Sequence, residues 1–186
     1  MHGTATRASA IRHLVGIEPG FDFLSEEYRT LYRASGASAF QAPLWLSILH
    51  GKLMPQLRAR QNTITVRSAD GALLAVFPFV VQESAGVSVI QPADFGVADR
   101  NDVVANASDL ADMARRPETL HALRAAVACH DLLIFRKIWA DSFDIRQLFP
   151  HARLRRGPNA GYVCETGADV EAWKREALRK RFTKEL

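Results

Sequence analysis

Apolar residues along the chain recur with two periods, one typical of helices and the other of strands. Between residues 21 and 34 they recur every three or four positions, which is the period of an amphipathic helix. Pro43 suits the first turn of a second helix, which is predicted to run to about Gly51. The chain therefore opens with two predicted helices before the first clear strand.

Strand patterns follow the two helices. Residues 57–67 alternate apolar and polar side chains, and Asp70-Gly71 is a typical hairpin turn, so residues 73–82 are predicted to pair with them. This second strand is almost wholly apolar, which predicts burial on both faces. Pro78 has no N–H for a strand ladder, so it predicts an edge or a bulge. Later segments predict strands at 87–90, 103–104, 131–135 and 160–164, and helices at 108–113, 117–129 and 141–149.

The order of these elements predicts an α/β fold with one mixed central sheet flanked by helices. Residues 1–20 show no sustained pattern and are expected to form a flexible tail, and residues 21–168 are expected to form one domain. Residues 169–186 contain strong helix formers without Gly or Pro after Asp169, and their apolar period continues to Leu186. We therefore expect the start of a connecting helix that leads into a second domain missing from this chain.

Composition narrows the functional classes. The chain is 48% hydrophobic and 24% charged, which is ordinary for a folded soluble protein. No apolar run approaches the roughly 20 residues that span a bilayer, and no secretory signal precedes the domain, so a cytoplasmic location is expected. The net charge of +4 arises entirely after residue 150. No nucleic-acid motif accompanies it, so a solvated helix explains this excess better than nucleic-acid binding.

Familiar catalytic and metal motifs are absent from the sequence. The six histidines lack the spacing of metal ligands, so no metal is expected. Cys129-His130-Asp131 contains the residue types of a nucleophilic triad, but consecutive residues do not face one another. We interpret these three residues as the end of a helix followed by the start of a strand.

Two segments hold candidate substrate-binding residues. In the polar loop at 94–102, Asp99 has the chemistry to hold or deprotonate an amine, and Asn101 has the chemistry to orient it. The alternative is that Asp and Asn only form turns there. Gln41 lies among apolar residues and offers its amide to a substrate, with Trp45 beside it. The alternative is that Trp45 anchors the core and Gln41 caps the following helix.

Several segments together resemble one family. Phe40-Gln41-Ala42-Pro43-Leu44-Trp45, Ala75-Val76-Phe77-Pro78-Phe79-Val80 and Gly96-Val97-Ala98-Asp99-Arg100-Asn101-Asp102 occur in that order, and a basic helical segment follows at 171–186. Their types and order resemble CelD-type proteins of the GNAT superfamily, which are related to the FemAB peptidoglycan aminoacyltransferases. The resemblance runs from about Phe21 to the end of the chain.

The resemblance implies a protein built from two GNAT-like halves. This chain is similar to the first half, which shapes the acceptor cleft, while the missing second half binds the acyl donor, expected to be acyl-CoA. The reaction implied is transfer of an acyl group to an amine on a small molecule, saccharide or peptide, and the process implied is polysaccharide or envelope biosynthesis. Asp99 and Asn101 match the family's loop. The alternative is a non-catalytic GNAT-like module that pairs with a partner through its C-terminal helix.

Overall fold

A computed structural model describes residues 13–157 together with residues 169, 171, 172 and 175. The chain divides into two compact units, residues 1–155 and residues 156–186. In the second unit, Glu171, Ala172 and Arg175 are helical, and a carboxylate oxygen of Asp169 accepts the backbone N–H of Ala172 at 2.9 Å. The predicted strand at 160–164 and the rest of the predicted terminal helix lie outside the described residues.

The first unit contains two four-stranded sheets, which confirms the α/β class. One sheet has the order β1-β3-β4-β7 and is antiparallel throughout. The other has the order β2-β5-β6-β8, in which only β6 and β8 are parallel. The strands are β1 Leu14–Glu18, β2 Ala59–Gln61, β3 Thr63–Arg67, β4 Leu73–Phe77, β5 Phe79–Ser84, β6 Val87–Pro92, β7 Val104–Ala105 and β8 Leu132–Leu133.

The expected single central sheet is replaced by two sheets, and Pro78 supplies the physical reason. Ala59 pairs with Gln82, and Ile64 pairs with Phe77, so one long hairpin keeps a single register through both sheets as far as Val66, after which the register shifts. Pro78 lies between β4 and β5 and cannot donate to the ladder, which is interrupted there. The outer neighbours then differ, because β4 is bordered by β7 and β5 is bordered by β6.

The helices largely follow the predicted pattern. The first begins after Ser25, whose hydroxyl accepts the backbone N–H of Tyr28, and ends before Gly36 in the left-handed conformation at φ +66°. The α-helices are α1 Glu26–Ser35, α2 Pro43–Ile48, α3 Met54–Gln56, α4 Ala107–Ala114 and α5 Pro117–Val127, with 3₁₀ turns at Ala39–Gln41 and Ile145–Gln147 and a π-helical turn at Leu49–Leu53.

The π-helical turn interrupts the second predicted helix. Within it the backbone N–H of Met54 donates to the carbonyl of Leu49, five residues earlier. Pro55 follows and has no N–H for an α-helical bond to Gly51, so the chain cannot continue a regular α-helix through this point. The predicted helix from Pro43 therefore becomes α2, a wide turn and the short α3.

Three predicted segments differ from the structure in length or type. Residues 14–18 form β1, which pairs along β3, although residues 1–20 were expected to be a flexible tail; residues 1–12 lie outside the described part. The strand expected at 131–135 is only β8, and Leu132 is 46% exposed, because it pairs with one neighbour at the sheet edge. The helix expected at 141–149 is reduced to a 3₁₀ turn that begins after Asp144.

β4 carries side chains into two apolar cores. Ala75 and Phe77 join a main core with residues of both sheets, α4 and α5, whereas Val76 belongs to a second core formed mainly by α1 and α2. Alternate residues of a strand face opposite sides, so this arrangement buries the strand on both faces, as the apolar run predicted. The sheet is held between the two helical layers, and this fixes the loops at its edges.

Candidate functional site

A pocket lies where the two sheets separate. On one side of Pro78 the chain is bordered by β7, and on the other side by β6, so the segment between β6 and β7 leaves the sheets and opens a gap. The gap holds a cavity of about 260 Å³, which we call the loop pocket. Its apolar walls include Phe77, Pro78, Phe79, Phe135, Ile138 and Phe143.

Two loops form much of the remaining wall, together with residues 35–37 at the end of α1 and Ala107 and Leu110 of α4. The sheet topology explains why the two loops meet. The loop at 93–103 follows β6, and the segment at 134–144 follows β8. β6 and β8 are parallel neighbours, so their carboxyl ends lie at the same edge of the sheet. Ligands of α/β proteins commonly bind outside the carboxyl ends of parallel strands. The loop pocket occupies a place of this kind.

Asn101 ties the two loops together. Its backbone N–H donates to the carbonyl of Lys137 at 3.1 Å, and its side-chain amide donates to the carbonyl of Arg136 at 2.9 Å. The same amide donates to a carboxylate oxygen of Asp94 at 3.0 Å. The ammonium group of Lys137 in turn donates to the carbonyl of Ala98. These bonds fix the position of one loop relative to the other.

Each loop also holds a residue with an unfavourable backbone conformation. Phe95 has φ +45° and Lys137 has φ +56°, in the left-handed region that non-glycine residues rarely adopt. Each such residue costs on the order of 1–3 kcal/mol, and the cost persists only when the surrounding contacts hold it in place. Arg58 and Ala85, which do not line the pocket, also have positive φ, so this conformation does not by itself distinguish the two loops.

Arg100 is the centre of a polar cluster on the pocket wall. Its Nε donates to Oδ2 of Asp102 at 2.7 Å, and its Nη2 donates to the hydroxyl of Ser142 at 3.2 Å. The Ser142 hydroxyl donates to Oδ1 of Asp102 at 2.9 Å. Nη1 of Arg100 lies 3.6 Å from Oδ2 of Asp141, and its guanidinium carbon lies 5.1 Å from the ring centre of Trp139.

The charges of this cluster leave the pocket with an excess of one negative charge. The charged residues among the pocket lining are Arg100, Asp102 and Asp141. The side chain of Asp102 is only 8% exposed and takes the direct ion pair with Arg100, whereas Asp141 is 70% exposed and more distant. A carboxylate at the rim above an apolar cavity can hold a cationic group while the cavity holds an apolar body.

Of the two candidate binding residues predicted in this loop, Asp99 and Asn101, only Asn101 lines the pocket. It is 8% exposed, and its side-chain amide is engaged by the two loops. Asp99 is exposed, and its backbone carbonyl accepts the indole N–H of Trp139 at 3.3 Å. Asp99 and Asn101 therefore face different surroundings although only Arg100 separates them.

Gln41 and Trp45 lie away from the pocket lining. Gln41 is 2% exposed; its amide oxygen accepts the hydroxyl of Ser38 at 2.6 Å, and its amide nitrogen donates to the carbonyl of Arg100 at 3.0 Å. Trp45 is half-buried and packs edge to face on Phe40 at 5.8 Å. Gln41 thus contributes indirectly to the candidate site, because its side-chain amide holds the backbone of Arg100 in place.

Sequence reasoning missed Arg100, Asp102, Asp141 and Ser142. The signal was a second polar segment directly after the strand predicted at 131–135, in the same position as the loop after the strand at 87–90. Recognising it required knowing that the two strands are adjacent and parallel, which sequence periodicity does not reveal.

The Cys129-His130-Asp131 segment does not assemble a triad. Nδ1 of His130 lies 2.9 Å from the hydroxyl of Ser88, and a carboxylate oxygen of Asp131 accepts the backbone N–H of Ser88 at 2.8 Å. Cys129 is exposed. His130 and Asp131 both attach the end of α5 to β6, which agrees with the interpretation as a connection between a helix and a strand.

Within residues 13–157 and the four later ones described, no group of three or more His, Cys, Asp or Glu side chains is arranged to hold a metal ion. Across the same residues, no helix combines the length and apolar character needed to cross a membrane. In comparisons with known proteins, no family model, no curated protein and no solved structure matches this chain.

Proposed function

We propose that this chain is the acceptor-side half of a GNAT-superfamily acyltransferase, and that the loop pocket binds the amine acceptor. The observation that supports the proposal is the excess negative charge at the rim of an apolar cavity. A protonated amine is attracted to such a rim, and its acylated product, being neutral, is released from it. Asn101 keeps its proposed place at this site, and Asp99 is a proposed contact at its outer edge.

The acyl donor belongs to a different part of the proposed enzyme. Acyl-CoA carries several phosphates, which favour cationic side chains or clustered backbone N–H groups. The loop pocket does not fit that end of the donor, because its one guanidinium is engaged by Asp102 and the pocket carries excess negative charge. We therefore assign donor binding to a second domain and derive no chemical step through the donor from these residues.

The test of acceptor binding is a set of primary amines, each paired with its N-acetyl derivative and titrated into the ¹⁵N-labelled chain. We expect at least one amine to shift the amide resonances of residues 100–103 and 138–143. Its acetylated partner should bind about fivefold more weakly, because an exposed ion pair contributes about 1 kcal/mol. Asp141→Asn should remove this preference, and Asp144→Asn, which lies outside the pocket lining, should keep it.

Equal binding within every pair would refute amine recognition by this pocket. The two-domain part of the proposal is tested separately by reading the gene beyond the codon for Leu186. We expect a further α/β segment on the order of 100–200 residues. A stop codon directly after Leu186 would contradict that part.

A further inference from the structure

The walls of the loop pocket discriminate between kinds of amine. The partly exposed apolar side chains of its lining include Phe135, Ile138 and Phe143, whereas Phe77 and Phe79 are 0% and 2% exposed. Phe135 packs edge to face on Phe79 with ring centres 5.3 Å apart, so this wall is a packed aromatic surface. An apolar ligand body gains free energy on such a surface in proportion to the area it buries.

The polar groups around the pocket are largely engaged by one another. Asp102 accepts from Arg100 through one carboxylate oxygen and from Ser142 through the other. The side-chain amide nitrogen of Asn101 donates to the two loops. A sugar placed here would bury several hydroxyls opposite aromatic rings, and a buried hydroxyl without a hydrogen-bond partner is costly.

The size of the cavity and the position of the Asp141 carboxylate limit the size and shape of the ligand. About 260 Å³ lies just below the usual range of small-molecule sites, so the ligand is small. The carboxylate of Asp141 is 70% exposed and lies at the rim, while the rings lie within. A ligand that satisfies both has a charged head at one end and a compact apolar body at the other.

We infer that the ligand of the loop pocket is a primary amine on an aromatic or branched aliphatic body, and not an amino sugar. The ammonium group meets Asp141 at the rim, and the body lies against the partly exposed side chains of Phe135, Ile138 and Phe143. This inference rests on the proposed function, because both place the acceptor in the same pocket. It goes further by choosing among the small-molecule, saccharide and peptide acceptors.

The test uses three probes with the full chain and isothermal titration calorimetry at low salt: 2-phenylethylamine, 2-phenylethanol and glucosamine. We expect 2-phenylethylamine to bind at least about tenfold more tightly than glucosamine, because only the former buries an apolar body. Ala107→Phe places a large ring beside the pocket at an exposed lining position and should weaken that binding. Ala125→Phe, at an exposed position of α5 outside the pocket lining, is the matched control.

The outcomes separate this inference from the proposed function. If glucosamine binds as tightly as 2-phenylethylamine, the inference is overturned while amine binding stands. If 2-phenylethanol binds as tightly as 2-phenylethylamine, the apolar part stands and recognition of the amine fails. If none of the three probes binds, or if Ala107→Phe and Ala125→Phe bind 2-phenylethylamine equally well, the inference is overturned.

Discussion

His50 should make this protein lose stability in mild acid. It lies in the π-helical turn, is 5% exposed, and stacks near Phe23 with ring centres 4.6 Å apart. Both of its ring nitrogens are buried and find no hydrogen-bond partner among the described residues. Burial disfavours the charged imidazolium and lowers the pKa of His50 from 6.5 to about 4.

The size and sign of the effect follow from linkage. As the pH falls below 6.5, the unfolded chain takes up a proton at His50, whereas the folded chain does so only near pH 4. The contribution of His50 therefore leaves the free energy of unfolding unchanged above pH 6.5 and lowers it progressively between pH 6.5 and 4. At about 1.4 kcal/mol for each pH unit, the total loss is about 3 kcal/mol.

The assay is urea denaturation of the wild type and His50→Phe at pH 7.5, 6, 5 and 4.5. Phenylalanine keeps an aromatic ring against Phe23 and cannot be protonated. The variant should therefore gain about 2–3 kcal/mol relative to wild type as the pH falls from 7.5 to 4.5. His13, whose pKa is also lowered by burial, is present in both proteins and cancels in the difference.

His151→Phe is the matched control, because His151 is exposed. A pH dependence as large in His151→Phe as in His50→Phe would mean that burial of His50 is not its cause. If the difference between wild type and His50→Phe stays within about 0.5 kcal/mol across the whole pH range, the reasoning is refuted. The imidazole of His50 would then be hydrated or hydrogen-bonded, and the turn would be more open than the structure shows.

Two further predictions concern the loops. Asp102→Asn leaves the guanidinium of Arg100 without its closest carboxylate and should lower the free energy of unfolding by about 2–4 kcal/mol in urea denaturation. Asp144→Asn, in an exposed ion pair, should lower it by less than about 1 kcal/mol. Equal losses would mean that the pair of Asp102 with Arg100 is effectively solvated. Gly71→Ala should destabilise the protein by about 1 kcal/mol or more in thermal unfolding, because φ of Gly71 is +90° in the hairpin turn. Gly51→Ala, in open space with an ordinary φ, should be neutral or stabilising in the same assay. A neutral Gly71→Ala would contradict the positive φ of Gly71 in this turn.

Much of the local structure was predictable from the sequence, because its signals lie within a few neighbouring residues. The apolar period predicted α1, and Asp70-Gly71 predicted the hairpin that joins β3 to β4. Pro78 was predicted to mark an edge or a bulge because it lacks an N–H, and the structure places it instead between β4 and β5, where the ladder is interrupted. β1 was missed because a five-residue strand acquires its identity from β3, which lies more than 40 residues away.

The candidate site shows the same division. The loop at 94–102 was recognised as polar, and Asn101 does line the pocket, but the partners of that loop come from residues 136–142. Gln41 looked like a free amide in the sequence, and only the fold shows that Ser38 and the carbonyl of Arg100 engage it. The sequence shows which donors and acceptors each side chain carries, whereas the hydrogen bonds they form depend on which groups the fold brings within about 3 Å.

The sequence by itself determined the α/β class, the positions of most helices and strands, and an irregularity at Pro78, because propensity, periodicity and missing donors act locally. The tertiary structure alone decided that this irregularity divides the sheet in two, that β6 and β8 run side by side, and that their loops enclose an apolar pocket with Asp141 at its rim. These features depend on pairing between distant segments, whose free energy is realised only when the whole core is assembled.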